Sequence, residues 1–274
     1  MIRAYRIFNA LSLDVAVGAS ISATFVASWL GVSLAWTTVI TLGICVWIIY
    51  TLDHLIDAKN IPHSPHTFRH WFHQQYFNRI SVALGIAALT EIVLLQYLPF
   101  STLIGGIALS IVVMLYFSIL WWLRLNKVYH KEILIAFVYT SGVFLPSVSI
   151  CGSPLDRALI LLFFQLFLIA LSNLLIFSVL ETNSDMMDGQ KSLATILGEV
   201  QSKQIIWLLI ILGMCIALVG RLVADKNALA QGALLFINII LGLIMLLPSW
   251  RKGDRYRFIG DGVFYIFLIF ILLA

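Results

Sequence analysis

Residues 50–60 read YTLDHLIDAKN and residues 181–198 read ETNSDMMDGQKSLATILG, and each stretch closes a long apolar run. The first carries Asp53 and Asp57, the second Glu181 and Asp185, and in both pairs the acids stand four residues apart. On a helix that spacing puts both carboxylates on one face, about a turn apart, where they repel. Helix stability gives no reason for such a pair. Two of them, each ending a run of bilayer length, point to a positive ligand held between them. Each acid of the first pair precedes its counterpart by 128 positions, as Arg124 precedes Lys252 and Lys127 precedes Arg255. That offset predicts two four-helix halves followed by a ninth helix.

The rest of the chain fits a bilayer. It is 61% hydrophobic and 11% charged, with a mean hydropathy of +1.01, which excludes an ordinary soluble domain. Nine membrane helices are expected, near 10–30, 33–53, 79–99, 102–122, 132–150, 156–180, 203–223, 229–249 and 256–274. No alternating ten-residue segments of the kind that build a barrel occur. The fold class is therefore an all-α membrane protein, a single polytopic domain over 1–274, with acidic motifs and loops at 50–78 and 181–202.

With the N-terminus cytoplasmic, fourteen of the seventeen Lys and Arg residues fall on the cytoplasmic side, leaving Arg157, Arg221 and Lys226 opposite. This bias sets the orientation, with the C-terminus on the far side of a bacterial inner membrane. The net charge of +4 then reads as a basic inner face meeting membrane lipids, and no nucleic-acid partner is implied. Asp14 breaks the first apolar run, so the N-terminal segment is read as a retained helix rather than a cleaved signal. Asp14, an ionisable residue within a span, is a functional candidate. The long polar loop after the second helix, with Pro62 and Pro65 near its start, predicts a short amphipathic lid carrying Arg69, His70 and His73. In the last helix, Arg257 and Asp261 stand four apart and are expected to form a local ion pair.

The chemistry follows from the acids. Four carboxylates at one membrane surface need a counter-charge, and oxygen-rich sites favour Mg²⁺ or Ca²⁺. Mg²⁺ takes one or two carboxylates and completes its shell with water and phosphate oxygens. Asp53, Asp57, Glu181 and Asp185, flanked by Lys59, Arg69, Lys131 and Lys191, therefore suit a metal-bound diphosphate above an apolar groove. Tyr50, Asp188, Asn173 and Asp14 are expected around them, Asp188 sharing a face with Asp185. The reaction implied is departure of diphosphate from an allylic carbon.

These motifs resemble those of the UbiA superfamily of intramembrane prenyltransferases. That family has nine helices and two acidic motifs, following helices 2 and 6. Its NxxxDxxxD pattern stands here as Ile49, Asp53 and Asp57. Its second motif, DxxxD followed by Gly, a TLA-like run and LG, stands as Glu181, Asp185, Gly189, Ser192–Leu193–Ala194 and Leu197–Gly198. The basic residue before helix 5 matches Lys131, with Gly142 and Pro146 following. The likeness spans essentially the whole chain. It implies Mg²⁺-dependent prenyl transfer from a prenyl diphosphate to an aromatic or other lipophilic acceptor, as in quinone or lipid biosynthesis. The departures are Ile49 for Asn, Glu181 for Asp, and the missing Arg-Pro pattern in the first loop. On that pattern, Ile49→Asn is expected to add a polar group beside Asp53.

Other readings compete. DMMDGQKS at 185–192 begins like a CDP-alcohol phosphotransferase motif, but Leu193 replaces its Arg and no Asp occurs between Asp188 and Asp225. All six histidines fall on the cytoplasmic side, five of them in one loop region, whereas a di-iron oxidase needs clusters from separate loops. Asp14 and Glu91 leave transport open. Ile49 is the residue that argues for a non-catalytic, lipid-binding relative.

Overall fold

The computed structural model describes residues 2–122, 131–152, 156–223 and 228–273. Arg124, Lys127, Tyr129, His130 and Lys226, with the side chains of Trp121 and Trp122, lie outside the described residues, and so does the repeat they would extend. Among the described residues there is no strand.

Apolar length dictates the main elements. Eight described helical segments are long and apolar enough to cross a membrane, and the chain is an integral membrane protein. They contain α2 (Leu13–Leu30), α3 (Trp36–Asn60), α5 (Phe77–Leu94), α7 (Lys131–Cys151), α8 (Arg157–Met187), α10 (Glu199–Val223), α11 (Ala228–Leu246) and the C-terminal α13 (Arg255–Gly262) with α14 (Phe267–Leu273). Between α5 and α7 runs α6 (Phe100–Trp122), whose apolar window within the described residues is shorter. Four short helices lie between or before the spans: α1 (Ile2–Ala10), α4 (Phe68–Gln75), α9 (Leu193–Leu197) and α12 (Pro248–Arg251).

Local chemistry sets several ends. Gly31 closes α2 at φ 68°, its N–H returning to Ala27 and Ser28 carbonyls. Asp156 caps α8 by accepting from the Leu159 N–H at 2.7 Å. Thr67 caps the lid helix α4, accepting from the His70 N–H at 3.4 Å. The lid expected in the first polar loop is thus a helix over Phe68–Gln75.

Two boundaries differ from the hydropathy reading in a way that matters. The second and sixth expected spans were to stop near 53 and 180, but the helices that hold them, α3 and α8, run to Asn60 and Met187. Their polar last turns project past the apolar slab, because backbone hydrogen bonds continue where hydrophobicity does not. Both acidic pairs therefore sit on helix rather than in loops. The last span is also interrupted, passing from α13 through a 3₁₀ turn at Val263–Ile266 into α14.

The bundle closes on itself. α2 packs on α3 and α7, α7 on α8, α8 on α10, α10 on α11, and α14 returns to α2. α8 is the axis, with two thirds of its span buried, whereas α5 is almost wholly exposed on the outside. Gly260 lets α13 approach that axis, since a Cβ there would meet Asn173 and lie 2.7 Å from the Phe177 ring. This close approach carries Tyr256 and Arg257 to the end of α8.

Candidate active site

The ends of α3 and α8 border one cavity of about 190 Å³. Asp53 and Asp57 from α3, and Glu181 and Asp185 from α8, all line it. So do Tyr50, Asn173, Lys131, Lys191 and Arg69 from the sequence reading. The two acidic pairs share a cavity because the last turns of α3 and α8 both border it, with Arg69 and His70 of the lid helix in its wall.

The cavity is lined by cations in fixed positions. Lys131, the first residue of α7, reaches Asp53 with its Nζ 3.3 Å from Oδ1. Arg69 on α4 lies 3.9 Å from Glu181. Burial, with Arg257 adding repulsion and Glu181 opposing both, lowers the Arg69 pKa, though not enough to discharge a guanidinium. Its orientation is secured by the lid. Gln74 on α4 donates to the carbonyls of Ile61 at 3.1 Å and His63 at 3.2 Å, fastening the lid helix to the end of α3.

Glu181 is the correction that changes the chemistry. Both its oxygens accept from Arg257, Nε to Oε1 and Nη2 to Oε2, and Oε1 also accepts from the Tyr256 hydroxyl at 2.6 Å. Its side chain is 9% exposed and that of Arg257 12%. Arg257 was expected to pair with Asp261 one turn on. Arg257 meets Glu181 because Gly260 brings α13 against α8, where both Glu181 oxygens face the guanidinium fork. Asp261 instead accepts from Asn9 Nδ2 at 2.9 Å. The same amide reaches Asp14, which is fully buried behind Asn9 and not in the cavity wall.

Three further expectations are revised. Asp188 turns away from Asp185 towards the lid loop, where it meets His66, because α8 ends at Met187 and the chain changes direction. Lys59 is exposed at the last turn of α3 and does not line the cavity. Ile49 is 53% exposed and also outside the cavity wall, so the Asn of the family pattern would not reach the site from this position.

Sequence reasoning missed Arg257, Asp261, Asn9 and His54 as cavity residues. An Arg within a predicted span was the available signal. His54 follows Asp53 and packs against His73 and His70 of the lid helix, with ring centroids 5.3 and 6.2 Å away. Burial, followed by the nearby Arg69 and Arg257 charges, pushes the His70 pKa down to about 3. Burial and Arg69 also lower that of His73, against its hydrogen bond to the Arg69 carbonyl. Both lid imidazoles are therefore neutral near pH 7, and His73 donates through Nδ1 to that carbonyl at 2.9 Å.

The second motif is held from behind. Buried Glu132 on α7 accepts from the Leu193 N–H at 2.6 Å and from the Ser178 hydroxyl at 3.4 Å. Ser178 in turn accepts from the Ala194 N–H at 3.2 Å. This network ties α7, α8 and α9 together beneath Asp185.

The donor set fits a hard divalent cation in part. Asp53, Asp57 and Asp185 present carboxylates to the cavity, as oxygen-loving Mg²⁺ requires. Glu181 does not fit that role, since Arg257 and Tyr256 already occupy its oxygens.

No protein-family model matches the sequence, and no curated protein does. Solved structures do match. The fold is similar to a UbiA homolog from Archaeoglobus fulgidus bound to DMAPP and Mg²⁺, with TM-score 0.63 and 10% identity over 97% of this chain and 99% of that one. It is also similar to a structure reported for digeranylgeranylglyceryl phosphate synthase, with TM-score 0.56 and 12% identity over 100% of this chain and 97% of that one. The chain has the UbiA fold.

Proposed function

We propose that this UbiA-fold protein is an intramembrane prenyltransferase, moving a prenyl group from a prenyl diphosphate to a lipophilic acceptor within the bilayer. The observation that carries this reading is the meeting of Asp53, Asp57 and Asp185 with Arg69, Lys131 and Arg257 around one cavity at the end of an apolar bundle. Carboxylates alone would repel a diphosphate and guanidinium groups alone would not hold a metal. The mixture suits the two together. Binding of prenyl diphosphate by this chain is an inference from that mixture, joined to a fold shared with a homolog bound to DMAPP and Mg²⁺.

In this reading each residue has a distinct task. Arg69 grips phosphate oxygens with its planar fork, Arg257 adds the charge of a guanidinium already engaged by Glu181, and Lys131 and Lys191 act as point charges. Glu181 is a positioning residue that keeps both guanidinium groups turned to the cavity. Asp53, Asp57 and Asp185 would hold Mg²⁺, which when bound would supply the positive charge that a departing diphosphate needs. Tyr50 and Asn173 offer neutral polar contacts below the charged rim. The lid helix α4 shields the site from bulk water, so that these charges act in a low-dielectric setting.

The test is turnover. Purified protein in lipid nanodiscs is incubated with Mg²⁺, prenyl diphosphates of several lengths, and aromatic and lipid acceptors, and diphosphate release is measured. Release that requires Mg²⁺ and disappears in Asp185→Ala supports the reading; failure to bind any prenyl diphosphate sinks it. The Glu181–Arg257 pair favours a second reading, a protein that binds a diphosphate-bearing lipid without cleaving it. Binding with no release would select that one.

A further inference from the structure

Asp188 lies beyond the cavity, and its surroundings are of a different chemical type. Its side chain is 1% exposed. It accepts from the His66 backbone N–H at 3.1 Å, and its Oδ1 lies 2.5 Å from His66 Nδ1 and 3.9 Å from His63 Nδ1. One ligand atom from each of the three residues falls within 4.8 Å of the others. Two imidazoles and one carboxylate converge at the rim, from loops 122 positions apart in sequence.

We propose that His63, His66 and Asp188 form a binding site for a borderline-soft divalent cation of the Zn²⁺ type, which staples the lid loop to the second acidic motif. With bonds of about 2.0–2.1 Å, tetrahedral Zn²⁺ sets its ligand atoms roughly 3.4 Å apart. The observed separations of 2.5 and 3.9 Å bracket that value. Small rotations of the imidazoles are enough to admit the ion. His66 moves off the carboxylate, and His63 leaves its present contact with the Ser64 carbonyl at 3.2 Å. The loop between them is already ordered: Pro62 and Pro65 restrict the backbone, Pro65 is buried, and the two rings stand 5.4 Å apart, edge to face.

The ligand class follows from the donors. Imidazole nitrogen suits Zn²⁺ and its neighbours in the transition series, whereas Mg²⁺ prefers oxygen and keeps its water. Three protein ligands leave a fourth position for water. Both histidines are more than two fifths exposed, so an ion can enter from solvent. A metal bridging loops so far apart in sequence closes a long stretch of chain, and the lid then moves only when the ion leaves.

The experiment uses full-length, tag-free protein in detergent, stripped with chelator and free of prenyl diphosphate. Co²⁺ is titrated in and its visible ligand-field absorption recorded, followed by competition with Zn²⁺ and with excess Mg²⁺. Wild-type protein is expected to take up one Co²⁺ per chain that Zn²⁺ displaces and Mg²⁺ does not. Asp188→Asn and His63→Ala should each weaken binding at least tenfold while eluting as monodisperse protein; His63 is exposed, so its variant tests the site even if Asp188→Asn misfolds. Bound Zn²⁺ should also slow proteolysis within the lid loop of wild-type protein alone. No Co²⁺ uptake, equal uptake by wild type and both variants, or displacement by Mg²⁺ overturns the proposal.

Discussion

Replacing Arg257 with Met probes the pairing that most distinguishes this site. Met keeps most of the side chain's length and its packing near Phe177, where the guanidinium now lies 4.7 Å above the ring. It removes the fork that satisfies both oxygens of Glu181, a side chain only 9% exposed. Breaking a buried pair from one side costs roughly 3–5 kcal/mol. Arg69, at 3.9 Å, and the Tyr256 hydroxyl, at 2.6 Å, remain to share the orphaned charge, which places the expected loss near the lower figure, about 3 kcal/mol. Glu181→Gln in the same chain removes that charge. The double variant should therefore be more stable than Arg257→Met alone, and the two changes should be strongly non-additive. Denaturant unfolding of the purified protein, followed by helical circular dichroism, measures all four corners of the cycle. An Arg257→Met variant as stable as wild type, or a double variant that loses the sum of the single losses, would refute the buried-pair reasoning.

Gly260→Val should resemble Arg257→Met, because the added side chain meets Phe177 and pushes α13 away from α8; equal stability to wild type would show that the close approach is not required. Lys131→Met should weaken prenyl diphosphate binding about tenfold by removing one charge-assisted contact while leaving the unfolding transition in place, as equilibrium binding and denaturation together would reveal. Burial holds His70 neutral, with a folded pKa of about 3, so its contribution is fully present above its unfolded value of roughly 6.5. The unfolded chain binds the proton first as pH falls, and stability should decline from there towards pH 3. His70→Gln should show a shallower decline across that range, and a slope identical to wild type would contradict the assignment. Ile49→Asn should change neither binding nor turnover appreciably, since the side chain lies outside the cavity wall.

Much of the architecture was legible because bilayer spans are written in uninterrupted apolar length. The acidic pairs were legible because two like charges one turn apart have no local benefit. What escaped was whatever depends on how helices meet. Helix ends at Asn60 and Met187 were missed because hydropathy marks where the slab ends, not where hydrogen bonding stops. Arg257 was assigned to Asp261 because the helical i,i+4 contact is visible in sequence, whereas a partner 76 positions away is not. Ile49 stood at the right spacing from Asp53, yet its side chain is largely exposed outside the cavity wall, whereas Asp53 one turn on lines the cavity and meets Lys131. Asp188 followed the same logic: three residues from Asp185 is one face of a helix, but the helix ends one residue earlier.

The most direct test of the central claim is equilibrium binding of a labelled prenyl diphosphate to the purified protein, with and without Mg²⁺, in wild type and in an Asp53→Asn, Asp185→Asn double variant. Mg²⁺ is expected to strengthen binding to wild type by at least tenfold, and the double variant should lose that Mg²⁺-dependent gain while retaining its fold. Binding that is the same with and without Mg²⁺ in both proteins, or no binding at any chain length, would contradict a metal-diphosphate site between α3 and α8.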